Sequence, residues 1–144
     1  MSDTKAYILP DRAAALANYP HARKVGDLIF VSGVSSRRPD NSHAGVTVTK
    51  DAQGNVLSIE KDIAVQSRAV IENIAAILEV AGVGLKDVVD VTVFLVDMAD
   101  YAGFNEVYNG YFDAKTGPTR TTVAVAALPH PNLLVELKVV ARVP

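Results

Sequence analysis

The chain has 144 residues, of which 49% are apolar and 21% are charged, as is usual for one globular domain with its own core. Its formal net charge is -2 and its basic residues are scattered, so neither nucleic acid nor an anionic membrane is an expected partner. The absence of cysteine excludes disulfides, zinc–cysteine sites and a thiolate nucleophile. We predict a single domain over residues 1–144.

The three histidines, His21, His43 and His130, lie far apart in sequence and never at helical i, i+4 spacing. Each is expected in a loop or at a cap, and we expect neither a metal nor a cofactor. The first residues, MSDTKAYILP, contain no apolar signal-peptide core, and no stretch reaches the length of a membrane span. The expected location is cytoplasmic.

The first half of the chain predicts strands. KVGDLIFVSG predicts a strand around Leu28 to Ser32 that ends at Gly33, and the turn-rich SSRRPDNSHAG after it predicts a loop. Alternating valines in GVTVTKDAQGNVLSIE, with a turn at residues 53–55, predict a hairpin.

The clearest helix follows Asp62, a good N-cap residue, and ends at the glycines 82 and 84. Its apolar face comprises Ile63, Val70, Ile74, Ile77, Leu78 and Ala81. DVVDVTVFLVDM then predicts an apolar strand, and a second helix is predicted from about Tyr101. The apolar stripe of this second helix comprises Phe104, Val107, Tyr108, Tyr111 and Phe112.

Two further strands are predicted in GPTRTTVAVAALPH and LLVELKVVARV, giving the order β(βββ)αβαββ. This order predicts an α+β sandwich with two helices packed on one face of a mixed sheet. Residues 91–96 are bulky on both strand faces, and helices can cover only one of them. We therefore expect a homo-oligomer in which identical subunits cover the other face.

Two charged residues interrupt the last two strands. Arg120 stands at the start of an apolar strand, either as half of an ion pair at the chain end or to hold an anion. Glu136 alternates with apolar residues, and beside it Lys138 is expected on a solvated face. If the second sheet face is covered in an oligomer, Glu136 is either half of a structural ion pair or a positioned proton acceptor.

Other polar residues have ordinary explanations when taken one at a time. Ser32 before Gly33 is typical of a turn, and Asn105 of an exposed helix position. Tyr19 is a surface aromatic or a pocket wall. Arg37 and Arg38 form a loop pair that favours solubility.

Five segments, in this order, resemble the Rid/YjgF family of enamine and imine deaminases over essentially the whole chain. They are Tyr19 with GDLIFVSG, QSRAVIENIAAILEVAG, VTVFLVDMADYAGFNEVYNGYF, GPTRTTVAVAALP and LLVELKVVA. The resemblance implies a chorismate-mutase-like fold and a homotrimer with its active sites in the clefts between subunits.

The resemblance also implies roles for single residues. Arg120 matches the arginine that binds the substrate carboxylate, and Glu136 matches the glutamate that holds the hydrolytic water. Ser32 with Gly33, Tyr19 and Asn105 fall on positions that line the pocket. Thr122 stands where many relatives have cysteine, and the HPNLL spacer also differs from many relatives.

The loop VSSRRPDNSHAG and the segment GPTRTTVAVAALPHP look most like the 2-aminomuconate deaminase branch. Its substrate is a six-carbon dicarboxylate, so Arg37, Arg38 or His130 is expected to bind the second carboxylate. Two alternatives stay open. One is a general 2-aminoacrylate or 2-iminopropanoate deaminase, and the other is a ligand-binding or chaperone-like trimer without turnover.

Overall fold

The structure, a computed structural model, describes residues 3–144. It contains a six-stranded sheet in the order β1-β2-β3-β8-β6-β7, in which only β6 and β7 are parallel, and a separate hairpin of β4 and β5. The strands and helices are β1 (Thr4–Tyr7), β2 (Ala22–Val25), β3 (Leu28–Val31), β4 (Val46–Lys50), β5 (Val56–Lys61), α1 (Ile63–Val80), β6 (Val88–Leu95), α2 (Tyr101–Tyr108), β7 (Thr119–Ala124) and β8 (Val135–Arg142).

Helix α1 begins and ends where the sequence predicts. The Asp62 carboxylate accepts a hydrogen bond from the Val65 backbone N–H at 3.1 Å, which satisfies one of the free donors of the first turn. Gly82 after the helix has φ +82°, a conformation that favours glycine. The apolar face of the helix, including Val70, Ile74 and Leu78, is buried in the core.

Helix α2 is shorter than its apolar stripe suggests. It ends at Tyr108, while Tyr111 and Phe112 lie beyond it in a turn and still pack against the core. The 3.6-residue spacing indicates which side chains pack inward, and this packing continues past the last helical residue through a turn in which the Phe112 N–H donates to the Tyr108 carbonyl at 3.1 Å.

The N-terminal half contains two strands, β1 and β2, that were not located from the sequence. β1 lies at the edge of the sheet and pairs with β2, which in turn pairs with β3. The β4–β5 hairpin is predicted correctly but joins none of the other strands, and all of β5 is exposed. The short strands TKAY and ARKV carry little apolar alternation, which explains why the sequence pattern misses them.

The two faces of the six-stranded sheet differ in burial. Val91, Val93 and Leu95 of β6 are fully buried on the face that α1 and α2 cover. The opposite side, here called the outer face, carries partly exposed apolar side chains: Leu28, Phe30, Phe94, Val123 and Val140. Within residues 3–144, no helix is long and apolar enough to cross a membrane.

Candidate active site

Glu136 projects from the outer face because its neighbours in β8, Val135 and Leu137, are buried in the core. Its carboxylate lies directly against Gly33, and a Cβ atom added to this glycine would overlap Oε1 of Glu136. Burial raises the pKa of Glu136 above its usual value. The carboxyl group is thus half-buried, and the close approach to Gly33 fixes its position.

Glu136 lines a depression together with residues from the N-terminal segment, the loop after β3 and the segment before β8. Four of the predicted site residues share this depression with Glu136: Tyr19, Gly33, Arg37 and His130. A second recess, which contains Ser32, continues from it along Tyr19, Gly33 and Arg37. The topology therefore gathers residues that are more than 100 positions apart in the chain.

The loop between β3 and β4 forms a small hairpin of its own, in which Arg37 pairs with His43. The Asn73 side chain of α1 donates hydrogen bonds to the backbone carbonyls of Ser35 at 3.0 Å and Arg37 at 3.1 Å. The guanidinium of Arg37 donates to the carbonyl of Ala14 and to Oδ1 of Asn41. These contacts hold Arg37 in the wall of the depression.

His43 and His130 stack in the same wall, with ring centroids 4.2 Å apart and ring planes tilted by 35°. Nδ1 of His130 accepts a hydrogen bond from the Asn132 backbone N–H at 3.1 Å. Burial lowers the pKa of His43, and the neighbouring His130 and Arg37 lower it further. The sequence indicated a loop position for His43 but gave no sign that it faces the depression.

Ser32 and Tyr19 differ in how far their side chains are already engaged. The hydroxyl of Ser32 donates a hydrogen bond to the carbonyl of Pro20 at 2.8 Å, so its proton is already in use. Tyr19 is 45% exposed at the rim of the depression. Ser32 thus holds the chain around Gly33, and the Tyr19 ring remains accessible.

Arg120 lies among the aromatic rings of α2. Its guanidinium carbon is 4.7 Å from the ring centroid of Tyr108, 5.6 Å from that of Phe104 and 5.7 Å from that of Tyr101. Nη2 of Arg120 donates to the hydroxyl of Tyr101 at 3.2 Å. A guanidinium stacks well on aromatic faces and keeps its remaining N–H donors in one plane, which suits a carboxylate.

Asn105 and Thr122 lie on the same side of the sheet as Arg120. Asn105 lines a recess with Tyr108 and Arg120, and Thr122 is two residues along β7 on the same strand face. Oδ1 of Asn105 and Oγ1 of Thr122 are buried without a hydrogen-bond partner in the described part of the chain. Two polar atoms beside Arg120 are therefore ready to contact a ligand.

Within one chain, Arg120 and Glu136 lie on opposite faces of the sheet. The register aligns Arg120 with Val91, whose side chain is buried under the helices, and aligns Glu136 with Phe94 on the outer face. Strand neighbours in register point to the same side of a sheet. The structure thus brings the predicted residues together as two separate groups, one around each of these side chains.

Two charged residues lie outside both groups. Arg38 is exposed, and its guanidinium donates to Oγ of Ser42 at 3.2 Å. Lys138 is exposed on the outer face, as expected, and its Nζ donates to the carbonyl of Val31 at 3.0 Å.

The model of the family described as endoribonuclease L-PSP matches residues 10–143. The chain belongs to this family, also called Rid/YjgF. A RutC family protein of Pyrococcus abyssi is 41% identical over 123 residues, which cover 85% of this chain and 84% of that protein. The chloroplastic Reactive Intermediate Deaminase A of Arabidopsis thaliana is 34% identical over 128 residues, which cover 89% of this chain and 60% of that protein.

The crystal structure of the yeast protein YEO7 superposes with a TM-score of 0.81 at 36% identity. The match covers 98% of this chain and 99% of the yeast chain. The predicted chorismate-mutase-like Rid/YjgF fold is therefore confirmed. A relative that carries the name of a deaminase supports C–N bond hydrolysis as an activity of the family.

Proposed function

We propose that the protein is a hydrolytic deaminase of carboxylate-bearing enamines and imines, acting at a site shared between two copies of the chain. The observation that carries this proposal is the half-buried carboxyl group of Glu136, which faces an open depression and has a raised pKa. A carboxylate in this setting is a suitable proton acceptor for water. The deaminase name of the Arabidopsis relative supports the same reaction class.

Arg120 binds the substrate carboxylate through two parallel N–H donors and so orients the C=N bond. Water adds to the carbon of the C=N bond while Glu136 takes a proton from the water and passes it to the nitrogen, which gives a neutral carbinolamine. Glu136 then takes the hydroxyl proton of the carbinolamine and delivers it to the amino group, so that the C–N bond breaks, ammonia leaves and a ketone remains. Backbone groups near Gly33 and Thr122 stabilise the polar intermediate.

A second copy of the chain is needed because Arg120 and Glu136 lie on opposite faces of one sheet. The Arg120 side of one copy must then meet the Glu136 side of another. Such a contact joins two different surfaces, and when its rotation closes after a whole number of copies it forms a ring. The partly exposed apolar side chains of the outer face supply the surface to bury, and we propose a homotrimer.

Within this reaction class, the proposed substrate is 2-aminomuconate, which would yield 4-oxalocrotonate and ammonia in the catabolism of aromatic compounds. A dicarboxylate needs a second cation besides Arg120. Arg37 and His130 line the Glu136 depression, whereas the Arg38 guanidinium is turned towards Ser42. Arg37 and His130 are thus the two side chains suited to the second carboxylate.

The test is ammonia release from enzymatically generated 2-aminomuconate compared with 2-iminopropionate. We expect turnover of both, with a higher kcat/KM for 2-aminomuconate. Replacing Arg37 and Arg38 together by alanine should raise KM for 2-aminomuconate only, and Arg37→Ala alone should reproduce that effect. If kcat/KM is equal for the two substrates and the double replacement changes neither value, a general imine deaminase is favoured. If neither substrate releases ammonia, the deaminase function is excluded.

A further inference from the structure

The wall of the Glu136 depression concentrates positive and titratable nitrogen groups on one side. Arg37, His43 and His130 come from the loop after β3 and the segment before β8. Among residues 3–144, Glu136 is the only acidic side chain that lines this depression. The Arg37 guanidinium donates hydrogen bonds to two neutral oxygens, the carbonyl of Ala14 and Oδ1 of Asn41. This wall therefore suits an anion.

The geometry of the two histidines makes them one unit. Their rings are stacked 4.2 Å apart, so a proton on one ring disfavours a proton on the other. Nδ1 of His130 accepts from the Asn132 N–H, which leaves the proton of the neutral ring on Nε2 as a donor for a ligand. The pair therefore offers a fixed donor and a site for one additional proton.

We propose that His43 and His130 act as a pair that binds the carboxylate remote from the reacting carbon and takes up a proton as that carboxylate binds. This inference deepens the proposed function, on which it rests for the identity of the dicarboxylate. His43 thereby becomes a specificity-determining residue, because only a substrate with a second carboxylate draws the proton onto the pair.

The charges around the pair set the direction of its pH dependence. Besides Arg37, Glu136 of β8 and Tyr19 line the depression, and the Nζ of Lys61 donates to the carbonyl of Pro131, next to His130. Arg38 and Asp40 are engaged with Ser42. In the free protein, burial holds the pKa of His43 below its usual value of 6.5, and the neighbouring His130 and Arg37 lower it further, so His43 resists protonation.

A bound carboxylate raises the pKa of His43 relative to the free protein. Dicarboxylate binding should therefore strengthen as the pH falls, and it should weaken as the pH rises through the pKa of His43 in the complex. Below the pKa of His43 in the free protein, the dependence should flatten because His43 is then protonated in both states.

The test uses adipate, a six-carbon dicarboxylate without a C=N bond, and hexanoate as its matched monocarboxylate. Calorimetric titrations of the full protein in two buffers of different ionisation enthalpy measure affinity and proton uptake together. We expect adipate to bind about tenfold more tightly than hexanoate near neutral pH, with proton uptake for adipate only. His43→Gln and His130→Gln should each abolish this preference, and Lys50→Gln, at an exposed hairpin position, should keep it.

Imidazole NMR signals provide a readout that does not depend on a variant folding correctly. In the parent protein, adipate should shift the titration of the His43 ring to higher pH, and hexanoate should leave it unchanged. Equal binding of the two acids, or adipate binding without proton uptake, would overturn the proposal. Adipate cannot be deaminated, so its binding tests the histidine pair and not the reaction. If adipate binds with proton uptake but 2-aminomuconate releases no ammonia, the deaminase function is refuted and the histidine pair is retained.

Discussion

Arg120 is surrounded by the rings of Tyr101, Phe104 and Tyr108, and its Nη2 donates a hydrogen bond to the Tyr101 hydroxyl. This environment holds the guanidinium plane in one orientation before any ligand arrives. Preorganisation of this kind favours a planar, bidentate contact over a simple point charge. The identity of this residue, and not only its charge, should therefore matter for activity.

Arg120→Ala should abolish deamination, and Arg120→Lys should restore little of it. Losing a desolvated, charge-assisted contact costs on the order of 3 kcal/mol, about a hundredfold in rate. Steady-state kcat/KM for the imine substrate measures this effect, and Arg142→Lys at an exposed end of β8 is the matched control. Near-normal kcat/KM in a folded Arg120→Ala protein would contradict the carboxylate role.

Glu136→Gln should bind substrate almost as the parent does and turn over roughly 10²–10⁴-fold more slowly, because the amide keeps the size but loses the basicity. Full activity of Glu136→Gln would shift the proton-acceptor role to the amine of the substrate or to backbone groups.

The same variant tests the burial of Glu136. Since burial raises the folded-state pKa of Glu136, its ionisation destabilises the fold as the pH rises above the usual value of 4.5. The glutamine variant should thus be more stable than the parent at pH 7 but not at pH 4. Thermal melts at both pH values measure this difference in stability, with exposed Glu60→Gln as control.

At the scale of elements, α1 fixes the segment that leads into β8. Gln66 is fully buried in this helix, its Nε2 donates to the carbonyl of Asn132, and its Oε1 accepts from the backbone N–H of Leu134, both at 2.9 Å. This one amide therefore satisfies two backbone groups of the irregular stretch between His130 and Glu136. Gln66 thereby links helix α1 to the segment that joins His130 to Glu136.

Gln66→Met should lower the free energy of unfolding by about 2–4 kcal/mol, because it leaves a buried carbonyl and a buried N–H unpaired at nearly constant side-chain volume. Urea denaturation measures the change. Gln53→Met, in the exposed turn of the β4–β5 hairpin, should change stability little. A loss in Gln66→Met no larger than that in Gln53→Met would show that the amide does not anchor this segment.

For the assembled protein, the opposite orientations of Arg120 and Glu136 mean that the proposed catalysis requires more than one subunit. Each subunit of the proposed ring gives its arginine to one neighbour and its glutamate to the other. The parent protein should sediment as a trimer, and a stable monomer at micromolar concentration would remove both the oligomer and the shared site.

Mixing Arg120→Ala and Glu136→Gln proteins, each inactive alone, should restore activity after subunit exchange. Sites that combine arginine from one variant with glutamate from the other are intact, and random equal mixing makes about a quarter of the sites of this kind. Ammonia release from the mixture measures them. A mixture of exchanged subunits that stays inactive would place both residues in a site within one chain.

The class of fold, helix α1 from its Asp62 cap to Gly82, the apolar strand β6 and the two charged residues of the proposed mechanism are all predictable from the sequence. These features are local: periodicity, caps and interrupted alternation are visible within a few residues of each other. The resemblance of five ordered segments also indicates the family, and the family model and the superposed yeast structure agree with it.

Which residues meet depends on long-range packing. The pairing of β1 with β2, the end of α2 at Tyr108 and the stacking of His43 on His130 depend on contacts that a local pattern does not record. The same holds for Arg120 and Glu136. Alternation indicates which residues share a face within one strand, but the register between strands decides which faces coincide, and it separates these two side chains.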